Sequence, residues 1–124
     1  MTSEELLERL KSFAVGCQVL IRTIPKNLYN FEYGSQLTRS SASPGANYIE
    51  ALEASSPKEF CYKLKTCRKE TRESEYWLSL IQKTNVDYPE IIKESNQLIR
   101  EAKELIRIFT SSIITSERNQ KIKK

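Results

Sequence analysis

Histidine is absent from the 124 residues. No imidazole is therefore on hand as general base, nucleophile partner or metal ligand, which removes many common catalytic and zinc arrangements. Glycine occurs only three times, and no GxGxxG turn or phosphate-cradling loop is present. The three cysteines are an odd number without a CxxC spacing. A disulfide framework is disfavoured, and a reducing cytoplasm is the simpler setting. No apolar run reaches the roughly 18 residues that a membrane span needs. The opening, Met1-Thr2-Ser3-Glu4-Glu5, is acidic and leads into an amphipathic segment, unlike a signal peptide. These absences point away from an enzyme, and no cofactor is expected.

What remains is an ordinary water-facing composition. Hydrophobic residues make up 39% and charged residues 29%, which suits one domain spanning 1–124. Twenty Lys and Arg against sixteen Asp and Glu give a net charge of +4 and a pI near 9.0. That is mildly basic, short of a histone-like wrapper.

Four amphipathic helices are expected, with no strand, because apolar residues recur at alternating intervals of four and three. The first is capped by Thr2 and Glu5, carries Leu6, Leu10, Phe13, Cys17, Leu20 and Ile24, and is ended by Pro25. The second spans about 31–54, with Leu37, Tyr48, Ile49 and Leu52 as its apolar positions. Its middle is small and polar, and Pro44 predicts either a kink near Ser40 or a loop between two short helices. Small residues there also let another backbone come close. The third opens on Ser56, Pro57 and Glu59 and carries Phe60, Leu64, Cys67, Thr71, Ser74, Leu78 and Ile81. The fourth begins near Asp87, with Glu90 completing a capping box, and carries Ile91, Ser95, Leu98, Ala102, Leu105 and Phe109. A polar, basic end over 117–124 is expected to be flexible. Short connections between such helices predict an antiparallel up-down-up-down four-helix bundle.

Several apolar side chains fall off these stripes. Tyr62, Tyr76 and Trp77 on the third helix, and Ile108, Ile113 and Ile114 on the fourth, either widen the core or mark an oligomer interface. Cationic residues gather in two groups. Lys58, Lys63, Lys65, Arg68, Lys69 and Arg72 lie on the third helix, and Arg118, Lys121, Lys123 and Lys124 close the chain. They are candidates for binding RNA or DNA, with aromatic side chains available to stack on bases. Acidic residues interleave with the first group, which equally fits a solvated face. Glu70, Glu73 and Glu75 read the same way rather than as a metal site, since Lys69 and Arg72 lie among them.

One stretch carries a resemblance. It runs Gln36-Leu37-Thr38-Arg39-Ser40-Ser41, then Ser43-Pro44-Gly45-Ala46-Asn47-Tyr48-Ile49-Glu50-Ala51. Lys58-Glu59-Phe60, Lys69-Glu70, Glu73 and Glu75-Tyr76-Trp77-Leu78 follow. This pattern resembles the 23S rRNA-intervening-sequence proteins over the two central helices, and the outer helices match in length and pattern. The resemblance implies a four-helix bundle, a homopentameric ring and no enzymatic activity. It also implies partners: further copies of the chain and, by analogy with the accessory proteins of diversity-generating retroelements, nucleic acid or a nucleic-acid enzyme. Pro44 departs from the small apolar or β-branched residue usual there, and +4 is well below the charge of those accessory proteins.

Arg39, Ser43, Asn47 and Glu50 match the family motif. Two roles are open to them. Glu50 acts as a general base oriented by Asn47, or the group forms a structural polar network around Pro44 with Glu50 paired to Arg39, Arg68 or Arg72. No nucleophile or metal ligand stands near them in sequence, which favours the structural role.

Overall fold

The computed structural model describes residues 1–122 and contains four α-helices: α1 (Ser3–Thr23), α2 (Leu28–Leu52), α3 (Pro57–Thr84) and α4 (Pro89–Ile122). Each start has a chemical cause. Thr2 and Glu5 form the reciprocal capping box of α1. Asn27 caps α2 through the N–H of Asn30. Ser56 accepts from the Glu59 N–H, while the Glu59 carboxylate reaches back one residue further, to the N–H and hydroxyl of Ser55. These backbone donors hold the Glu5 and Glu59 carboxyls below their ordinary pKa.

Two expected boundaries move. Pro89 is the first residue of α4, so the cap position falls on Tyr88, whose carbonyl accepts from Ile91 and Ile92. Asp87 therefore stands one residue too early for the box with Glu90. The end expected to fray from Glu117 is helical to Ile122, with Glu117 paired to Lys65 and Gln120 donating to the Pro57 carbonyl. Lys123 and Lys124 lie outside the described residues.

The pairings across helices fix their directions. Along α2, residues Asn30, Ser40, Pro44 and Glu50 meet Asn85, Ser74, Cys67 and Lys63 of α3. Along α3, residues Pro57, Arg68 and Gln82 meet Gln120, Thr110 and Ser95 of α4. Numbers rise on one helix as they fall on the other, so each pair is antiparallel. α1 completes the ring against α2 and α4, tied to α4 by a two-pronged Arg9–Glu101 ion pair at 2.7 and 2.8 Å.

The core follows the stripes on α1, α3 and α4, where Phe13, Leu20, Leu64, Leu78, Leu105 and Phe109 are among the fully buried side chains. On α2 the expected core is half wrong. Leu37 and Tyr48 are buried, but Ile49 and Leu52 stay 48% and 45% exposed. The buried line of α2 is Asn30, Gly34, Leu37, Ser41, Pro44, Tyr48 and Ala51, which keeps the four-three interval with mostly small or polar members. Hydropathy cannot find such a line, because its members are inside for their size. Pro44 sits within one continuous helix, not in a loop. Its carbonyl accepts from the Cys67 thiol of α3 at 3.4 Å. Small residues on both sides let α2 and α3 close up, with Ser40 and Ser74 hydroxyls 2.9 Å apart and fully buried.

Candidate nucleic-acid interface

In a bundle with a repeat of seven residues over two turns, each position of the repeat faces one direction. On α3 the core side is Leu64, Thr71 and Leu78 with Cys67, Ser74 and Ile81. One flank turns to α4 through Arg68, Glu75 and Gln82. The other turns to α2 through Lys63, Glu70, Glu73 and Trp77. A third, partly exposed row, Glu59, Thr66, Glu73 and Leu80, lies on the α2 side of two outward rows. One is Lys58, Lys65, Arg72 and Ser79, and the other is Tyr62, Lys69, Tyr76 and Lys83.

No carboxylate stands in either row. The acids that interleave in the sequence are drawn to the flanks by partners on other elements. Arg39 of α2 holds both Glu70 and Glu73, Lys103 of α4 faces Glu75 at 3.7 Å, and Ser55 holds Glu59. Trp77 donates from its ring nitrogen to Glu73 and stacks on Tyr33, so it is half-buried within its own chain. Tyr62 and Tyr76 instead remain 66% and 57% exposed.

The neighbouring α4 continues the same surface. Lys93, Arg100, Arg107 and Lys121 recur at multiples of seven and are exposed, as are Lys103 and Arg118. The last turns of α4 lie beside the start of α3, which brings Arg118 and Lys121 to the Lys58 end of the ridge. From residue 57 to 122 the chain has 13 Lys and Arg against 10 Asp and Glu, whereas 1–56 has 5 against 6. Positive charge is thus concentrated on one side of the bundle.

The candidate residues separate accordingly. Lys69 and Arg72 point outward without an ion pair among the described residues, Lys65 points outward but pairs with Glu117 at 3.1 Å, and Arg68 turns sideways to Thr110. Lys83, Lys93, Arg100, Lys103 and Arg107 were missed by grouping cations along the sequence. Counting sevens from the core stripe finds them.

The motif residues Arg39, Ser43, Asn47 and Glu50 do not form one network. Arg39 serves Glu70 and Glu73, Asn47 donates back to the carbonyl and hydroxyl of Ser43, and Glu50 pairs with Lys63 at 2.8 Å. The partner of Glu50 is thus Lys63, not Arg39, Arg68 or Arg72, and Asn47 does not orient it. Glu50 raises the pKa of the Lys63 ammonium through this bond.

The opposite side differs in kind. Two adjoining rows of α2, Leu28, Ser35, Ala42 and Ile49, and Phe31, Thr38, Gly45 and Leu52, carry no charge, while the next exposed row, Glu32, Arg39, Ala46 and Glu53, is charged. Val15 and Val19 of α1 are exposed as well, and a groove of about 840 Å³ runs between Ile21, Ile24, Phe31 and Gly34. Among the described residues no three Cys, Asp or Glu gather as a metal site would require, and no helix is long and apolar enough to cross a membrane.

All three cysteines are buried and unpaired. Burial pushes the thiols of Cys17 and Cys67 up to about 12. Neither is expected to react with iodoacetamide near pH 8 in the native protein, while both should be labelled in urea. Native labelling of either, read by mass spectrometry, would contradict the burial.

The profile of a family described as 23S rRNA-intervening sequence protein matches residues 4–111. No curated protein matches the chain. A solved structure is similar: a protein of unknown function from the S23 ribosomal protein family of Bacteroides thetaiotaomicron. It is 29% identical, with 91% of this chain and 98% of that chain covered and a TM-score of 0.78.

Proposed function

This chain belongs to the 23S rRNA-intervening sequence protein family, and we propose that it works as a non-enzymatic, cytoplasmic, homo-oligomeric adaptor that binds nucleic acid. The carrying observation is the segregation of its surface. Two outward rows of α3 are cationic with two tyrosines, and two rows of α2, from Leu28 to Leu52, are uncharged. Cations facing one way raise the local potential felt by a phosphate backbone, although the whole chain is only +4. The uncharged side suits contact between copies, since buried interface cores are depleted in charge. A ring, a pentamer by the family resemblance, would repeat the cationic ridge once per copy. Several modest sites held rigidly together bind a polymer far more tightly than one.

The first test combines mass and binding. Five chains of 14.4 kDa give about 72 kDa by light scattering. Phe31→Glu with Ile49→Glu is expected to reduce that to a single chain. RNA binding should weaken steeply with salt. The triple variant Lys58→Glu, Lys69→Glu, Arg72→Glu should bind at least tenfold more weakly, with the log–log salt slope smaller by about 2. Lys11→Glu on α1 should bind as the parent does. Equal binding by the triple variant would remove the ridge from the proposal. Assembly without RNA binding at low salt would favour a second reading, a purely structural or protein–protein module, for which the uncharged α2 face is the supporting observation.

A further inference from the structure

We infer that the α3 ridge takes single-stranded nucleic acid, with bases stacked on Tyr62 and Tyr76 and phosphates held by Lys58, Lys65, Lys69 and Arg72. This deepens the nucleic-acid reading above and rests on it. Tyr62 and Tyr76 occupy the same position of the seven-residue repeat two repeats apart, about 21 Å along the helix at 1.5 Å per residue. Lys69 lies midway between them in the same row, and Lys65 and Arg72 flank it in the adjacent row. A strand laid along the ridge meets aromatic, cation and aromatic in turn. That alternation matches a polymer of bases and phosphates.

Exposure separates these tyrosines from the aromatic side chains of the core and of the α2–α3 contact, while Tyr29, Phe31 and Tyr88, also exposed, lie off the ridge. Tyr48 packs on Phe109 in the core, and Tyr33 and Trp77 stack on each other between α2 and α3. Tyr76 ends this aromatic chain, edge-on to Trp77 with ring centroids 5.1 Å apart. Trp77 is itself held by Glu73. The Tyr76 ring is therefore braced from behind and open in front, a platform set before any ligand arrives. Tyr62 stands alone one end further along, with no neighbouring ring.

A duplex fits this surface poorly. Its bases are already stacked and paired, so exposed tyrosine faces gain nothing from them. Reading a major groove requires a helix that projects into it with base-edge partners such as Arg or Asn. Here α3 is flanked along its length by α2 and α4 and offers mainly lysines, which neutralise phosphates without reading bases. Aromatic faces interleaved with cations are the arrangement by which single strands are held without regard to sequence.

The experiment uses the full chain, a fluorescein-labelled oligouridine and a perfectly paired RNA duplex of equal length. Anisotropy gives affinity, and the fluorescence of Trp77, the sole tryptophan, reports on the adjoining Tyr76. The single strand should bind at least tenfold more tightly than the duplex. Tyr76→Ala and Tyr62→Ala should each weaken it about 5- to 100-fold with the salt slope unchanged. Tyr76→Phe should bind as the parent does. Oligouridine should quench Trp77 in the parent and in Tyr62→Ala. Both tyrosines are exposed, so unchanged thermal melting of each variant is expected and establishes that folding is intact. Equal or tighter duplex binding, or parental affinity in both alanine variants, overturns the single-strand inference and leaves the cationic ridge standing. Failure of both polymers to bind at low salt overturns the ridge as well.

Discussion

Replacing Asn85 with alanine is expected to lower the free energy of unfolding by about 3 kcal/mol, a loss of roughly 10 °C in melting temperature. Asn85 caps the end of α3 and is almost fully buried against Asn30 at the start of α2. The two amides exchange hydrogen bonds at 2.9 Å in both directions. Asn85 also donates to the Ile81 carbonyl at 2.7 Å, and Asn30 to the Pro25 carbonyl at 2.9 Å. One pair thereby satisfies the end of α3 and the turn between α1 and α2, two backbone sites far apart in sequence. Alanine at 85 leaves the Asn30 amide and the Ile81 carbonyl short of partners in a dry place. Each orphaned group costs about 1–3 kcal/mol, more than the bond itself contributes to a satisfied pair. Urea denaturation of Asn30→Ala, Asn85→Ala and the double variant forms the decisive cycle. The double variant should lose clearly less than the sum of the singles, because the second deletion removes the group that the first left unpaired. Additive losses would show that water replaces the missing partner and that the pair is not a closed unit.

Ser74→Leu should cost about 3 kcal/mol, although sequence statistics favour it. Leucine is the better helix former and the more hydrophobic side chain, and position 74 lies on the buried stripe of α3. The opposing effect is steric. The Ser74 hydroxyl lies 2.9 Å from that of Ser40 and 3.1 Å from the Glu70 carbonyl, and both serines are fully buried. A leucine there has no void to enter and must push α2 and α3 apart, at the upper end of what overpacking usually costs. Ser74→Ala is the control. It removes the hydroxyl without adding volume and should cost only about 1 kcal/mol. A thermal melt in which leucine is as stable as alanine would mean that the interface yields easily, and that close approach is not what the small residues serve.

Most of the fold was legible because it depends on a quantity that survives in one dimension. A side chain's direction on a helix is set by its number, so Leu6 to Leu20 on α1 and Leu64 to Ile81 on α3 announce their buried faces by spacing alone. The cap residues Thr2 and Ser56 act on donors within three residues, and they too could be read in place. Where burial follows from size rather than hydropathy, reading failed. Ile49 and Leu52 looked like core, yet Ser41, Pro44 and Ala51 hold the inward line.

The candidate site divides along the same boundary. Its charged residue types and the familiar run from Gln36 to Leu78 were visible in the chain itself. Sequence alone could not decide which charges remain free. Glu70, Glu73 and Glu75 sit among the lysines of α3 in sequence, but Arg39 and Lys103 draw them to its flanks. Only packing against α2 and α4 selects these partners, because an ion pair depends on distances of a few ångströms between helices that the chain's numbering does not encode. What the tertiary structure decided is therefore the sign of the outer surface of α3: a mixed string of charges becomes a cationic ridge once its acids are engaged elsewhere.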